Sequence, residues 1–290
     1  MKNINDAFSV LWRTRIGCVI GAVIPLLVIG TAVQSTAQTI SVANSSLQLN
    51  ATSGSLTSWT VNGQNELNSQ SYYYSIGGNP VNSIGTISAP STPIFGGQSF
   101  LGTLLSTNVS VTYENSALDV TTKYILETQS GGAELASTFT IVNPTAASEV
   151  LSFYQYSDFA LGGAGGQSMQ FLLGTTNYAM LQNGHGMYLN GELSAIVGGV
   201  PATVGEIAGP YDGTQFGLGN GNPAPLFNNS VLSASGSNVN FGYEFEATLN
   251  PGSALVISEI QTVPEPSCIA LVSVGMLGVG LLKNLRPKKR

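Results

Sequence analysis

Residues 117–128 read ALDVTTKYILET, in which Leu118, Val120, Thr122, Tyr124 and Leu126 alternate with Asp119, Thr121, Lys123 and Glu127. Successive side chains leave a strand on opposite sides, so a period of two describes a strand with one dry face and one wet face. The same pattern recurs on both sides of it. In 108–115, NVSVTYEN, Val109, Val111 and Tyr113 alternate with Ser110, Thr112 and Glu114. In 241–249, FGYEFEATL, Phe241, Tyr243, Phe245, Ala247 and Leu249 stand against Glu244, Glu246 and Thr248. Hairpin signals follow three such runs: Asn62-Gly63 after SWTV, Ser130-Gly131-Gly132 after YILET, and Asn250-Pro251-Gly252 after EATL. No helical stripe of useful length interrupts them. The expected fold is all-β, an antiparallel β-sandwich of two sheets packed face to face.

Between 162 and 222 the alternation breaks and glycines crowd together (LGGAGGQS, NGHGMYLNG, VGGV, FGLGNGNP). Long loops at one end of a sandwich and Gly-kinked, bulged strands both fit, and the strand reading is the preferred one. No repeat period emerges that would suggest a solenoid or propeller.

Composition narrows the function. The chain has 290 residues, of which 8% are charged and 43% hydrophobic. That is too apolar for a disordered polymer. The region 38–263 contains one cation, Lys123, against thirteen Asp and Glu, a net charge of about −12. Nucleic-acid binding depends on Lys and Arg neutralising phosphates, so this body is not a nucleic-acid binder. Both cysteines, Cys18 and Cys268, lie in the terminal apolar segments. The body therefore has neither a disulfide framework nor a thiolate metal site, and it must stand on its own core.

The two ends carry the basic residues. Lys2, Arg13 and Arg15 precede the apolar run IGCVIGAVIPLLVIGTAV and the small-x-small site Ser35-Thr36-Ala37. This is the pattern of a secretory signal peptide spanning 1–37, with cleavage expected between Ala37 and Gln38. At the other end, 267–282 holds sixteen uncharged residues. As a helix they would span roughly 24 Å, short of a hydrocarbon core of about 30 Å, a mismatch that snorkelling and local thinning absorb. Lys283, Arg286, Lys288, Lys289 and Arg290 follow. Five cations in eight residues serve no purpose beside a soluble core, but they hold a helix end at an anionic cytoplasmic membrane face. The body, 38–262, is thus expected outside the membrane.

Pro264, Glu265 and Pro266, followed by that apolar segment and basic tail, resemble the PEP-CTERM sorting domain of exported bacterial proteins. The resemblance covers 263–290. It implies export to the cell envelope or surface, processing by an exosortase at or near the motif, and a structural or adhesive task in an exopolysaccharide setting. The chemistry suits a processing site. Two prolines keep the segment extended and out of helix or sheet, and Glu265 offers one fixed charge to read.

Candidate chemistry within the body is sparse, and no catalytic constellation emerges, so the chain is expected not to be an enzyme and to need no cofactor. His185, in NGHGM, is the only histidine, which excludes a multi-histidine zinc site. Asp158, in YQYSDFALGG, and Asp212, in GPYDGTQFG, are the carboxylates best placed for a carbohydrate ligand, together with His185. For Asp158 the favoured alternative is a turn-forming aspartate bonded to its own backbone. If YILET and ELAST pair around Ser130-Gly131, Glu127 faces Glu134, and a Ca²⁺ ion would relieve the repulsion of two like charges. Tyr72, Tyr73, Tyr74, Tyr154 and Tyr156 offer rings for sugar stacking, although half of any alternating run must point into the core. The alternative function is therefore a carbohydrate-binding or carbohydrate-active sandwich.

A second resemblance bears on the fold. LNATSGSLTSWTVNGQNEL (49–67) and LSFYQYSDFAL (151–161) are similar to the opening strands of galactose-mutarotase-like supersandwich domains. The resemblance implies that fold. The family's activity relies on paired histidines and a carboxylate, and a chain with only His185 departs from it.

Overall fold

A computed structural model describes residues 37–129, 132–161, 167–171, 178–182, 188–197, 200–201, 203–209, 218, 233–236 and 240–264. The chain divides into a unit Met1–Ser35, outside the described residues, and a unit Thr36–Arg290. Within the second unit the order is β1 (Ala37–Val42), β2 (Ser45–Asn50), β3 (Ser55–Val61), β4 (Gln64–Ile76), β5 (Asn82–Ser83), a 3-10 turn at Ile84–Thr86, β6 (Ile94–Phe100), β7 (Thr103–Glu114), β8 (Asp119–Gln129) and β9 (Gly132–Val142). There follow β10 (Glu149–Phe159), β11 (Gln167–Phe171), β12 (Tyr178–Gln182), β13 (Tyr188–Val197), β14 (Val200–Pro201), β15 (Thr203–Gly209), β16 (Ser233–Gly236), β17 (Asn240–Leu249) and β18 (Ala254–Pro264).

These strands form two antiparallel sheets. The first runs β1-β2-β3-β4-β10-β17-β15, with β5 on β4. The second runs β16-β11-β12-β13-β18-β9-β8-β7-β6, with β14 on β13. The all-β expectation holds, and the glycine-rich region 162–222 supplies strands β11 to β15. Among the described residues no helix is long and apolar enough to cross a membrane, and the segment 267–282 lies outside them.

The alternating runs place their side chains as the pattern predicts. Val109, Val111, Tyr113, Val120, Tyr124, Leu126, Phe241, Tyr243 and Phe245 are all buried in one core shared by the two sheets. Rings bridge the layers: Tyr72 of β4 lies 4.4 Å from Phe139 of β9, which lies 5.5 Å from Phe153 of β10. Each such ring contributes about 1.5–3 kcal/mol through area removed from water. Two polar tips inside the core are bonded, with Trp59 Nε1 donating to Ser45 Oγ at 3.1 Å and Tyr113 donating to the Ala51 carbonyl at 2.6 Å.

Two of the three hairpin signals form hairpins. Asn62 and Gly63 take φ of 52° and 78° between Val61 and Gln64, the positive pair that a type I′ turn requires. Strands β8 and β9 pair from Gln129 and Gly132 outward. The third signal needs correction. Leu249 ends a strand of the first sheet, opposite Glu149, whereas Ala254 begins one of the second, opposite Val142. Asn250-Pro251-Gly252 therefore carries the chain across the sandwich. Its turn is closed by Ser253 N–H to the Asn250 carbonyl at 2.9 Å and tied to the β9 end by Gly252 N–H to the Asn143 carbonyl at 2.9 Å. Turn chemistry specifies a reversal but not which sheet receives the next strand.

Candidate functional site

Strand β10 lies between β4 and β17, and from Phe153 to Phe159 every residue is buried. Leu151, Phe153 and Phe159 face the shared core, as do Gln155 and Ser157 between them. The opposite side presents Tyr154, Tyr156 and Asp158. An outward side in an antiparallel sheet is ordinarily wet. Here Tyr154 and Tyr156 form a second small core with Val81 and Leu218, and Tyr73 packs against it.

Register assembles this outer site. Tyr154 stands opposite Tyr73 of β4 and Glu244 of β17; Tyr156 stands opposite Ser71 and Gly242; Asp158 stands opposite Ser69 and Asn240. The Tyr154 hydroxyl donates to Glu244 Oε1 at 3.1 Å. Burial raises the Tyr154 phenol well above its ordinary range, more than Ser152 lowers it, and the Glu244 charge adds to the rise. The phenol is thus held as a donor. Burial raises Tyr73 also, partly offset by a hydrogen bond with Ser71. Asn68 Nδ2 lies 3.5 Å from Asp158 Oδ1. Asp158 and Glu244 are both only 4% exposed. Four residues along a strand and one strand across separate their backbones by about 14 Å. They therefore mark two ends of one lined strip and do not flank a single bond.

The inner side of β10 holds a second polar group. Glu259 of β18, 1% exposed, accepts from Gln155 Nε2 at 2.8 Å and Gln70 Nε2 at 3.1 Å. Gln70 Nε2 also lies 3.1 Å from Ser157 Oγ. A carboxylate in the middle of a sandwich is costly unless bonded, and two amide donors from the facing sheet supply those bonds. With both nitrogens turned toward Glu259 and Ser157, Oε1 of Gln70 and of Gln155 has no partner among the described residues. This group ties β4, β10 and β18 together across the sandwich.

Asp158 sits inside β10, beside a register shift between Asp158 and Phe159 in the pairing with β4. It is a ladder residue of a buried strand. His185 and Asp212 lie outside the described residues. Glu127 and Glu134 do face each other across β8 and β9. Desolvation, and then the Glu127 charge, raises the Glu134 carboxyl. Among the described residues no group of three or more His, Cys, Asp or Glu side chains is placed to hold a metal ion. Ala37 and Gln38 begin β1, opposite Asn50 and Leu49. Pro264 ends β18 opposite Gly132, so the first proline of the motif closes a ladder, while Glu265, Pro266 and the basic flank Lys283, Arg286, Lys288, Lys289 and Arg290 lie outside the described residues.

The tyrosines sort by side. Tyr72 is buried against Phe139, Tyr74 packs partly on the same core, and Tyr73 points the other way. Tyr154 and Tyr156 are fully buried, so neither presents the open stacking face expected of it; Tyr73, half-buried, is the ring at the rim.

Sequence reasoning missed Gln70, Gln155, Glu244 and Glu259. A signal for two of them was present. In ALVISEIQTVP (254–264), Leu255, Ile257, Glu259, Gln261 and Val263 share one side, which puts a Glu and a Gln on an otherwise apolar face. In 151–159 the sequence Leu151, Phe153, Gln155, Ser157, Phe159 does the same. Glu244 carried no such mark, because it alternates like its exposed neighbour Glu246.

No protein-family model matches this chain, and no curated protein matches it. Solved structures similar to it include a galactose mutarotase-related enzyme from Lactobacillus acidophilus, 8% identical, covering 79% of this chain and 98% of the other at a TM-score of 0.44. A galactose mutarotase-like protein from Lactobacillus casei ATCC 334 is 8% identical, covering 78% and 99% at 0.43. A bacterial glucoamylase complexed with acarbose is 12% identical, covering 84% of this chain but 34% of that one, at 0.49. These include enzymes, and the expectation that this chain is not an enzyme is withdrawn on that finding. Likeness at this level assigns no activity. What the chain has in common with them is an all-β antiparallel sandwich, the build that residues 49–67 and 151–161 resemble.

Proposed function

We propose that the body of this chain is a carbohydrate-handling β-sandwich, binding or processing a glycan along the outer side of β10. The observation that carries this reading is the burial of Asp158 and Glu244, each 4% exposed, among Tyr73, Tyr154 and Tyr156 on a side that a purely structural sheet would leave in water. Buried carboxylates with specific partners are candidates for functional sites, because their desolvation is a standing cost to the fold. Carboxylates and tyrosine hydroxyls suit sugar hydroxyls, and the ring of Tyr73 offers an apolar face to a pyranose.

A glycan-array screen of the wild type, Asp158→Asn and Glu244→Gln tests this. Binding to a defined glycan that both substitutions abolish, with melting temperatures unchanged or raised, supports the reading. Equal binding by all three chains, or no binding by any, overturns it.

A second reading concerns delivery and rests on residues 263–290. The resemblance of this stretch to PEP-CTERM signals, with the secretory pattern at 1–37, makes the chain an exported exosortase substrate placed at the cell surface in an exopolysaccharide setting. Mass spectrometry of the native C-terminus should find it trimmed near Pro264, Glu265 and Pro266. A full-length chain recovered from the cytoplasm contradicts this.

A further inference from the structure

The β6–β7 hairpin ends in an exposed apolar tip. Leu101 is 90% exposed, Leu104 42% and Leu105 47%. Leu104 and Leu105 are adjacent in one strand, so they point to opposite sides, and the tip carries an apolar side chain on each side. Leu101 also takes φ of +49° ahead of Gly102 at +82°. That left-handed conformation is disfavoured for a leucine and suits Asn or Gly. A strained, exposed leucine contributes little to the fold that holds it, and such outliers point toward function. No Asp, Glu, Lys or Arg occurs between 67 and 113, although the body as a whole is strongly acidic.

Register fixes where this tip lies. Ser106 of β7 pairs with Glu127 of β8, Gln129 with Gly132 of β9, and Gly132 with Pro264 of β18. The start of β7, the β8–β9 turn and the end of β18 therefore share one end of the second sheet. From β7 to β18 is three strand spacings, about 14 Å. Strand β18 ends at Pro264, three residues before the uncharged stretch begins at Ser267.

We infer that the β6–β7 tip is a membrane wedge: before processing, Leu101, Leu104 and Leu105 enter the neutral outer surface of the bilayer beside the C-terminal segment that still anchors the chain. Two contacts at one end of the second sheet would orient the sandwich where one anchor alone would let it swivel. Glu127 and Glu134, the first charges back from the tip along β8 and β9, then stay at headgroup level. The inference rests on the reading that 267–282 enters a bilayer.

The test uses the full chain reconstituted in phosphatidylcholine vesicles. Leu101→Trp reports on the tip, and Ser116→Trp, exposed in the β7–β8 turn at the opposite end of the strands, is the control. Relative to wild type, Leu101→Trp should add blue-shifted emission that is lost on brominated phosphatidylcholine, while the Ser116→Trp emission stays red and unquenched. A chain that floats with the vesicles but leaves both unquenched keeps the anchor and overturns the wedge. A chain that does not float overturns both. Blue-shifted Leu101→Trp emission that appears only with self-association, and without lipid quenching, assigns the tip and the exposed β6 edge at Ile94 and Phe95 to a second copy and overturns the wedge. Leu101→Asn, which suits the turn, should raise the melting temperature; a fall would show that the leucine serves the fold and would overturn the inference.

Discussion

Strands β8 and β10 are both eleven residues long and both lie inside a sheet, yet they are built differently. In β8, Val120, Thr122, Tyr124 and Leu126 are buried while Asp119, Thr121, Lys123 and Glu127 retain contact with water. In β10 both sides are buried from Phe153 to Phe159, and the side that should be wet holds Asp158 and two tyrosines. One strand shows what the sandwich needs in order to fold. The other shows surface withdrawn from water beyond that need, and that surplus is the reason to locate function on β10.

The comparison can be broken most severely where the two sheets meet. Phe153→Ala removes a ring packed on Phe139 and Tyr72 and should cost about 3–5 kcal/mol in denaturant unfolding. A cost near that of a surface change would mean that β10 is not central to the core. Gln155→Leu, on the same side, leaves Glu259 with one fewer donor and should cost about 1–3 kcal/mol. A stabilised variant would show that Glu259 is neutral or satisfied elsewhere.

On β8 the expected effects are small. Glu134 is partly exposed and its carboxyl is raised, so the folded state holds its proton to higher pH than the unfolded state does. The stability linked to this proton is complete below the ordinary carboxylate range and is lost as pH rises through the raised value. Glu134→Gln should therefore stabilise by a few tenths of a kcal/mol at pH 7, after allowance for solvent screening, and do nothing at pH 4. A larger gain at pH 4 than at pH 7 would reverse that sign. Thr121→Ala, on the wet side of β8, should change stability by less than about 0.5 kcal/mol.

The sequence foretold β8 well and β10 poorly, for a physical reason. Alternation reports the contrast between two sides of a strand, and Val120-Thr121-Thr122-Lys123 carries that contrast. In Phe153-Tyr154-Gln155-Tyr156-Ser157 both sides mix apolar and polar groups, so the period is silent about which is covered. Asp158 attracted attention through its aromatic neighbours, but its partners Asn68, Ser69 and Asn240 come from strands distant in sequence, and only register brings them near. Glu244 and Glu246 look alike in FGYEFEATL, and what sets the former apart is the Tyr154 hydroxyl of β10 bonded to it, which no local pattern connects to it. Asn250-Pro251-Gly252 announced a turn correctly and misdirected its outcome, because choice of sheet is settled by the inward faces that follow.

The most direct test of the claim that β10 carries function is to measure glycan affinity and thermal stability on the same Asp158→Asn sample. The account predicts affinity lower by about tenfold or more, equivalent to about 1.4 kcal/mol, with a melting temperature equal to or above wild type, since a neutral amide relieves a buried charge. Unchanged affinity together with a lower melting temperature would contradict it and make Asp158 a structural residue.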